Sequence, residues 1–263
     1  MFRYIKAIFG IYDHTPYTQE KFLQKFKSVG DLFFFHIISD LHIGSEYQDN
    51  PKALQIVQDI QKLPPDQAKW VFALGDIFDF VCAPIRNLDW MYDEFAKLFL
   101  FLFKKYRLGN HEGLGENEAD LLHQYFDSNK LRDLKTALST EALGEYIVTA
   151  PNGVKVMLDH GDLFTQKQRD DYMPYRYKKH GASGAKLIQV EFFDKLDWLK
   201  TRRPLPKGFI EAVYDKMVTA EADVCIVGHF HVEAIRYYFL KGKIIIVLPA
   251  HQFNSVAIPK LAG

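Results

Sequence analysis

The sequence predicts an α/β fold, because apolar strand-like runs alternate with stretches of helical periodicity and several of the runs end in polar side chains. Such alternation is typical of layered domains with helices packed on sheets. At 263 residues the chain suffices for one large domain or two small ones. We find no internal repeat and no interdomain linker, so we expect one main domain.

Six predicted strands follow one another along the chain: "LFFFHIISD", "WVFALGD", "FLFLFKKYRLGN", "VKVMLDHGD", "DVCIVGHFH" and "KIIIVLPAHQFNS". The last of them leads into His251, which we place after the final strand. Between the runs, "PKALQIVQDIQKL" and "DWMYDEFAKLF" have the period of amphipathic helices. Ligands bind beyond the carboxyl ends of the strands in open α/β sheets, so the polar strand ends predict one shared site.

The domain is expected to span residues 31–263, with residues 1–30 as an N-terminal arm. The arm begins "MFRYIKAIFGIYDH", which lacks the long apolar region and cleavage site of a signal peptide. We expect it to pack on the domain, and contact with a membrane surface is the alternative. The region of about 163–222 is expected to form a helical insertion, or lid, because its length exceeds what a simple crossover needs. The alternative is an ordinary crossover helix with a charged face.

Composition narrows the class of protein. Lys plus Arg and Asp plus Glu each number 33, and the resulting zero net charge does not favour a protein that grips nucleic acid by a global basic field. The two cysteines, Cys82 and Cys225, imply no disulfide framework, which fits a reducing, cytoplasmic compartment. No segment reaches the roughly 18 consecutive apolar residues of a membrane span.

Seven polar residues at the strand ends form a set suited to two divalent metals. They are Asp40, His42, Asp76, Asn110, His160, His229 and His231. Each short motif alone is common in turns. Together, imidazole and oxygen ligands fit Mn²⁺ first, with Fe²⁺ or Zn²⁺ as alternatives. Two ions about 3.5–4 Å apart can activate a shared water and stabilise both oxygens of an in-line displacement at phosphorus.

The motifs "SDLHIG", "GDIFDF", "GNHE", "HGD" and "GHFH" resemble, in this order, the five motifs of the calcineurin-like metallophosphoesterases. The resemblance covers residues 33–258. It implies a four-layer αββα sandwich of two mixed sheets with helices on both outer faces. It also implies a hydrolase in which a metal-bridged hydroxide attacks phosphorus directly, without a covalent enzyme intermediate.

The resemblance assigns a role to each motif residue. The ligands of one metal would be Asp40, His42 and His231. The ligands of the other would be Asn110, His160 and His229. Asp76 would bridge the two ions, and His111 would steady a phosphate oxygen or protonate the leaving group. Asp79 and Asp162 are candidates to accept hydrogen bonds from ligand imidazoles, with capping or turn roles as alternatives. His251 either approaches the site or is a structural histidine.

Within this superfamily, the chain is most similar to the UDP-2,3-diacylglucosamine hydrolases of lipid A synthesis, which place a helical lid before the last motif. That similarity implies a phosphoester or pyrophosphate substrate, here a nucleotide-linked lipid, and peripheral contact with the inner face of a membrane. The chain departs from those enzymes in having His111 and Glu112 after the Asn ligand and "LPAHQFNS" in its tail. Candidate substrate contacts in the lid are Arg169, Tyr172, Arg176 and Lys179, and a solvated helix face is the alternative for them.

Two other functions stay open. The same motifs resemble the DNA-repair nucleases of the superfamily, and another phosphodiesterase activity is also compatible with them. A metal-free scaffold is the alternative from a different class. The presence of all seven ligand residues and His111 favours an enzyme over a scaffold. The oligomeric state is open.

Overall fold

The computed structural model describes residues 16–26, 32–45, 49–79, 87–102, 105–109, 111–112, 146–161, 205 and 208–259, without the side chains of residues 25, 26, 88 and 89. In chain order, the first elements are β1 (Tyr17–Thr18), α1 (Gln19–Phe26), β2 (Leu32–Ser39), α2 (Asn50–Gln61), α3 (Pro65–Ala68), β3 (Val71–Leu74), α4 (Leu88–Leu102) and β4 (Tyr106–Arg107). They are followed by β5 (Tyr146–Thr149), β6 (Lys155–Asp159), α5 (Phe209–Thr219), β7 (Val224–Val232), β8 (Arg236–Leu240), β9 (Lys243–Pro249) and β10 (Gln252–Pro259).

The strands form two mixed sheets. The larger sheet has the order β1-β8-β9-β7-β6-β5, in which β6, β7 and β9 are mutually parallel. The smaller sheet has the order β10-β2-β3-β4, in which β10 is antiparallel to β2 and the other pairs are parallel. Each sheet therefore contains parallel strands whose carboxyl ends share one edge.

Three buried apolar clusters show how the layers stack. Phe35 of the smaller sheet and Ile226 of the larger sheet belong to the cluster between the sheets. Val57 of α2 and Phe95 of α4 pack on the outer face of the smaller sheet. Val213 of α5 packs on the outer face of the larger sheet. The expected four-layer αββα sandwich is confirmed.

The strand predicted from "FLFLFKKYRLGN" was placed too early. Among the described residues of this run, only β4 is extended, and the run's first four residues belong to α4. Phe99 and Leu102 are buried, whereas Leu100 and Phe101 between them are exposed, which is the burial period of a helix. A short apolar run does not distinguish a buried strand from a helix end by its hydrophobicity alone.

The chain's last strand-like run is in fact two strands. β9 ends at Pro249 and β10 begins at Gln252, so His251 lies in the turn between them and not after the final strand. The hairpin strands β5 and β8 were not among the predicted strands. The β8–β9 turn has positive φ angles of 47° at Lys241 and 83° at Gly242, as a two-residue type I′ turn requires.

The predicted N-terminal arm and the range predicted for the lid each contain described elements that pack on the larger sheet. Tyr17 pairs with Tyr237 in the β1–β8 ladder, and the ring of Phe22 stacks on Tyr237 at 3.9 Å between centroids. Helix α5 lies within the range proposed for a lid and covers β7 and β9. Residues 162–204 lie outside the described residues. Within the described residues, no helix is long and apolar enough to cross a membrane.

Candidate metal centre

The candidate ligands lie where strands of both sheets end. Asp40 follows β2, Asp76 follows β3 and His160 follows β6, while two further histidines occupy the last part of β7. Left-handed φ angles occur at Asp40 (54°), His42 (48°), Asp76 (52°), His229 (67°) and His231 (47°). This conformation costs non-glycine residues roughly 1–2 kcal/mol each. Backbone strain of this kind clusters at functional sites, where the surrounding structure holds it in place.

A break in the β7 ladder explains the "GHFH" sequence. The register of β7 against β9 shifts between Val227 and Val232, so the residues between them leave the regular ladder. Gly228 approaches the end of β2 so closely that a Cβ atom there would overlap Ser39 Oγ and lie 2.7 Å from Asp40 Oδ2. Only glycine leaves room for this approach, which brings the histidines of β7 against the carboxylate of the other sheet.

The first ligand group consists of Asp40, His42 and His231, whose candidate donor atoms all lie within 4.8 Å of one another. The two Nε2 atoms of His42 and His231 are 3.1 Å apart, and His231 Nε2 is 3.3 Å from Asp40 Oδ1. Nitrogen ligands about 2.1 Å from a shared ion are about 3.0–3.4 Å apart. The donor types and their spacing therefore fit a divalent ion.

The second ligand group consists of Asp76, His160 and His229. His160 Nδ1 lies 2.6 Å from the carbonyl oxygen of Leu74, and because a carbonyl only accepts, Nδ1 carries the proton. The unprotonated Nε2 of His160 then faces Asp76 Oδ2 at 3.2 Å. This tautomer is the one that a metal ligand needs, and a backbone carbonyl fixes it.

Backbone hydrogen bonds join the two ligand groups. The amide of His229 donates to both carboxylate oxygens of Asp40, at 3.1 and 3.0 Å. The amide of His42 donates to the backbone oxygen of Asp76 at 2.9 Å. Each group therefore depends on a residue of the other, and the two possible ion positions are adjacent.

Electrostatics keeps two ligand carboxylates ionised and one ligand imidazole neutral. Burial raises the pKa of Asp40, but the hydrogen bond with His231 and the neighbouring imidazoles of His231 and His160 together lower it to well below the usual range. Burial likewise raises the pKa of Asp76, and the surrounding imidazoles of His160, His111 and His42 together lower it to well below the usual range. Burial and the neighbouring His160 lower the pKa of His229 to about 3. At neutral pH the carboxylates are thus ionised and His229 is a neutral imidazole.

Asp79 supports two imidazoles at once. Its Oδ1 lies 2.9 Å from His111 Nδ1, and its Oδ2 lies 3.5 Å from His42 Nδ1. Burial raises the pKa of Asp79, but its interactions with His111 and with His42 together lower it to well below the usual range, so the side chain is ionised. This carboxylate orients both rings and stabilises a protonated His111.

His251 lies beside the first ligand group. Its ring centroid is 5.5 Å from that of His231 and 6.0 Å from that of His42. Its backbone amide donates to the carbonyl oxygen of Asp40 at 3.2 Å, and its φ is 62°. Burial, followed by the charges of His42 and His231, lowers its pKa to about 4. The ring therefore flanks the candidate metal site and is not part of either ligand group.

From the sequence, Glu112 was noted only as a departure from related enzymes, and its position in the site was not predicted. It is fully buried, and its Oε2 accepts from the amides of Asp76 at 2.8 Å and Gly109 at 2.7 Å. Burial and the charge of Asp76 raise its pKa to about 7. The available signal was an acidic residue three positions after a glycine at a strand end.

Several predicted site residues lie outside the described residues. They are Asn110, Asp162, Arg169, Tyr172, Arg176 and Lys179. Of the predicted metal ligands, the six that are described fall into the two groups above.

The sequence profile of calcineurin-like phosphoesterases matches residues 35–233. The chain belongs to this family. It is a metal-dependent phosphoesterase. The described residues contain three candidate ligand groups for a metal ion: the two above, which consist of predicted ligands, and a third made of His42, Asp79 and His111. The matched segment includes every described residue of both ligand groups, together with His111. No curated protein sequence matches the chain.

Solved structures similar to this family member include a predicted phosphoesterase from Streptococcus pneumoniae, with a TM-score of 0.38 and 14% identity over 87% of this chain and 84% of that one. Vacuolar protein sorting 29 from Cryptosporidium parvum has a TM-score of 0.42 and 12% identity over 87% and 86% of the two chains. A dimetal phosphatase from Danio rerio has a TM-score of 0.40 and 16% identity over 85% and 91%.

Proposed function

We propose that the protein hydrolyses phosphoester or pyrophosphate bonds at a centre of two divalent ions, Mn²⁺ being the preferred metal. The proposed ligands of the first ion are Asp40, His42 and His231. The proposed ligands of the second ion are Asn110, His160 and His229. Asp76 is the proposed bridge between them. The observation that carries this proposal is the pairing of two adjacent ligand groups, one at the end of β2 and the other at the ends of β3 and β6.

The bound ions would supply Lewis acidity toward the phosphoryl oxygens and an activated water for attack on phosphorus. The chain's own part in the reaction is to hold the ligands rigidly and to supply a proton. Asp79 accepts a hydrogen bond from Nδ1 of His111 and stabilises the imidazolium, in which Nε2 also carries a proton. His111 would then donate a proton from Nε2 to the leaving oxygen, or hydrogen bond to a phosphoryl oxygen in the transition state.

For the substrate, we propose a nucleotide-linked lipid of the UDP-diacylglucosamine type. The support is the resemblance of "HGDLFTQKQRDDY" and "GHFHVEAI" to the corresponding segments of those hydrolases. The proposed contacts to the substrate's phosphates and base are Arg169, Tyr172, Arg176 and Lys179, within a helical insertion of about residues 163–222. Such a substrate would require an enzyme in the cytoplasm, in peripheral contact with the inner face of a membrane.

Hydrolysis assays with Mn²⁺ on UDP-2,3-diacylglucosamine, bis-p-nitrophenyl phosphate and single-stranded DNA test this proposal. The wild type is compared with Asp76→Asn and with Asp59→Asn, a control at an exposed carboxylate of α2. We expect fastest turnover of the UDP-lipid, loss of all turnover in Asp76→Asn and wild-type rates in Asp59→Asn. Cleavage of DNA alone would favour the nuclease alternative. No turnover of any substrate by Mn²⁺-loaded protein would favour the scaffold.

A further inference from the structure

The carboxylate of Glu112 lies at the centre of five hydrogen bonds. Its Oε1 accepts from the amides of Ile77 at 2.8 Å and Phe78 at 3.3 Å and from the hydroxyl of Tyr106 at 2.6 Å. Its Oε2 accepts from the amides of Asp76 and Gly109. The four amide groups donate, and a hydroxyl paired with a carboxylate also donates. Both oxygens of Glu112 are therefore surrounded by donors and act as hydrogen-bond acceptors.

Three of these donors are consecutive amides of the loop that follows β3. Successive N–H groups around a residue in the left-handed conformation form a concave anion-binding site. Asp76 has this conformation, with φ of 52°, and Glu112 fills the concavity from within the same chain. A buried N–H group without a partner is costly, so the loop keeps this shape only while Glu112 satisfies its amides.

The same contacts join two loops of the site. Glu112 and His111 follow β4, whereas Asp76 follows β3. Glu112 holds the backbone of Asp76, and Asp76 Oδ1 in turn accepts a hydrogen bond from the amide of His111 at 2.7 Å. This reciprocal pair fixes the carboxylate of Asp76 relative to the loop that carries His111.

We propose that Glu112 is a positioning residue that sets the metal affinity of the centre by holding the loop of Asp76. This inference rests on the proposed ligand role of Asp76. Glu112 acts through the backbone of Asp76. Substitutions of groups that orient metal ligands typically weaken metal binding about 10- to 100-fold, and we expect the same range here.

Glu112→Gln is the most direct substitution, because glutamine has the same shape but replaces one oxygen by an amide NH₂. Either side-chain orientation would set this donor against two or three other donors. Tyr106→Phe removes one bond of the five and leaves the carboxylate intact. Glu94→Gln is the matched control, since Glu94 pairs with Lys97 on the exposed side of α4.

The experiment measures the affinity and stoichiometry of Mn²⁺ by calorimetry on folded protein, beside thermal unfolding. We expect about 10- to 100-fold weaker binding in Glu112→Gln, a smaller loss in Tyr106→Phe and no change in Glu94→Gln. A lower melting temperature with wild-type affinity in both variants would show a merely structural role and overturn the inference. If Glu112→Gln does not fold, the Mn²⁺ affinity of Tyr106→Phe alone decides whether Glu112 sets the metal affinity. A wild type that binds no Mn²⁺ would instead overturn the proposed function.

Discussion

Replacing Gly75 with alanine tests whether close packing behind the ligands sets the geometry of the site. Gly75 has φ of 77° and immediately precedes Asp76. A Cβ atom there would lie 2.5 Å from the backbone nitrogen of Gly109 and 2.7 Å from Nδ1 of His160. The substitution therefore adds one methyl group between two segments that carry ligands, without changing a ligand.

The expected magnitude follows from these contacts. Ordinary van der Waals contact of a Cβ begins at 3.4 Å, so the backbone of Gly109 must move by 3.4 − 2.5, or about 0.9 Å. Metal–ligand distances tolerate only about 0.2 Å, so we expect at least a 10- to 100-fold loss of Mn²⁺ affinity. The left-handed alanine costs about 1–2 kcal/mol of unfolding free energy, and overpacking adds about 1–3 kcal/mol.

Gly242→Ala separates the conformational cost of a left-handed alanine from the effect of close packing against the ligands. Gly242 has φ of 83°, but a Cβ there has no neighbour within 4 Å among the described residues. This control should lose only the conformational cost of about 1–2 kcal/mol and bind Mn²⁺ as the wild type does. Urea unfolding measures the unfolding free energy, and calorimetric titration measures the Mn²⁺ affinity. Equal losses of stability together with wild-type Mn²⁺ affinity in both variants would show that packing at Gly75 does not set the geometry of the metal centre.

Three further substitutions probe the mechanism and the packing. His111→Ala should lower kcat by about 10²- to 10⁴-fold, the usual effect of losing a general acid or an electrostatic stabiliser, while Mn²⁺ stoichiometry stays at the wild-type value. An unchanged kcat would remove His111 from the mechanism. Lys216→Met should cost about 1–3 kcal/mol in urea unfolding, because Lys216 Nζ lies 2.8 Å from the buried carboxylate of Asp159; a loss below about 0.5 kcal/mol would contradict this. Phe22→Ala should cost about 3–5 kcal/mol, because its buried ring stacks on Tyr237. A near-neutral effect in thermal unfolding would show that β1 and α1 contribute little to the folded domain.

The sequence predicted the structure best where a run of strand-forming residues leads directly into polar side chains. The β-branched run before Gly228 and the aromatic run before Asp40 were predicted as strands, and both are strands that end at the site. The motif set also predicted the two-sheet sandwich. Metal ligands can be predicted from sequence because metals bind few side-chain types, and in α/β folds these side chains lie at strand ends.

Other features depend on contacts between distant segments and leave no local signal. The amphipathic end of α4 resembles a strand until the burial of Phe99 and Leu102 is known. Glu112 looks like an ordinary turn residue, although its partners include the amides of a loop about 35 residues away. His251 could be placed between two strands only once β10 was known, and β10 pairs with β2 at a separation of over 200 residues.

Anomalous scattering from crystals grown with Mn²⁺ would locate the metal ions directly. Two peaks are expected about 3.5–4 Å apart, with the carboxylate of Asp76 between them. One peak should lie among Asp40, His42 and His231, and the other beside His160 and His229. A single peak, or two peaks that do not share Asp76, would contradict a two-metal centre bridged by this residue.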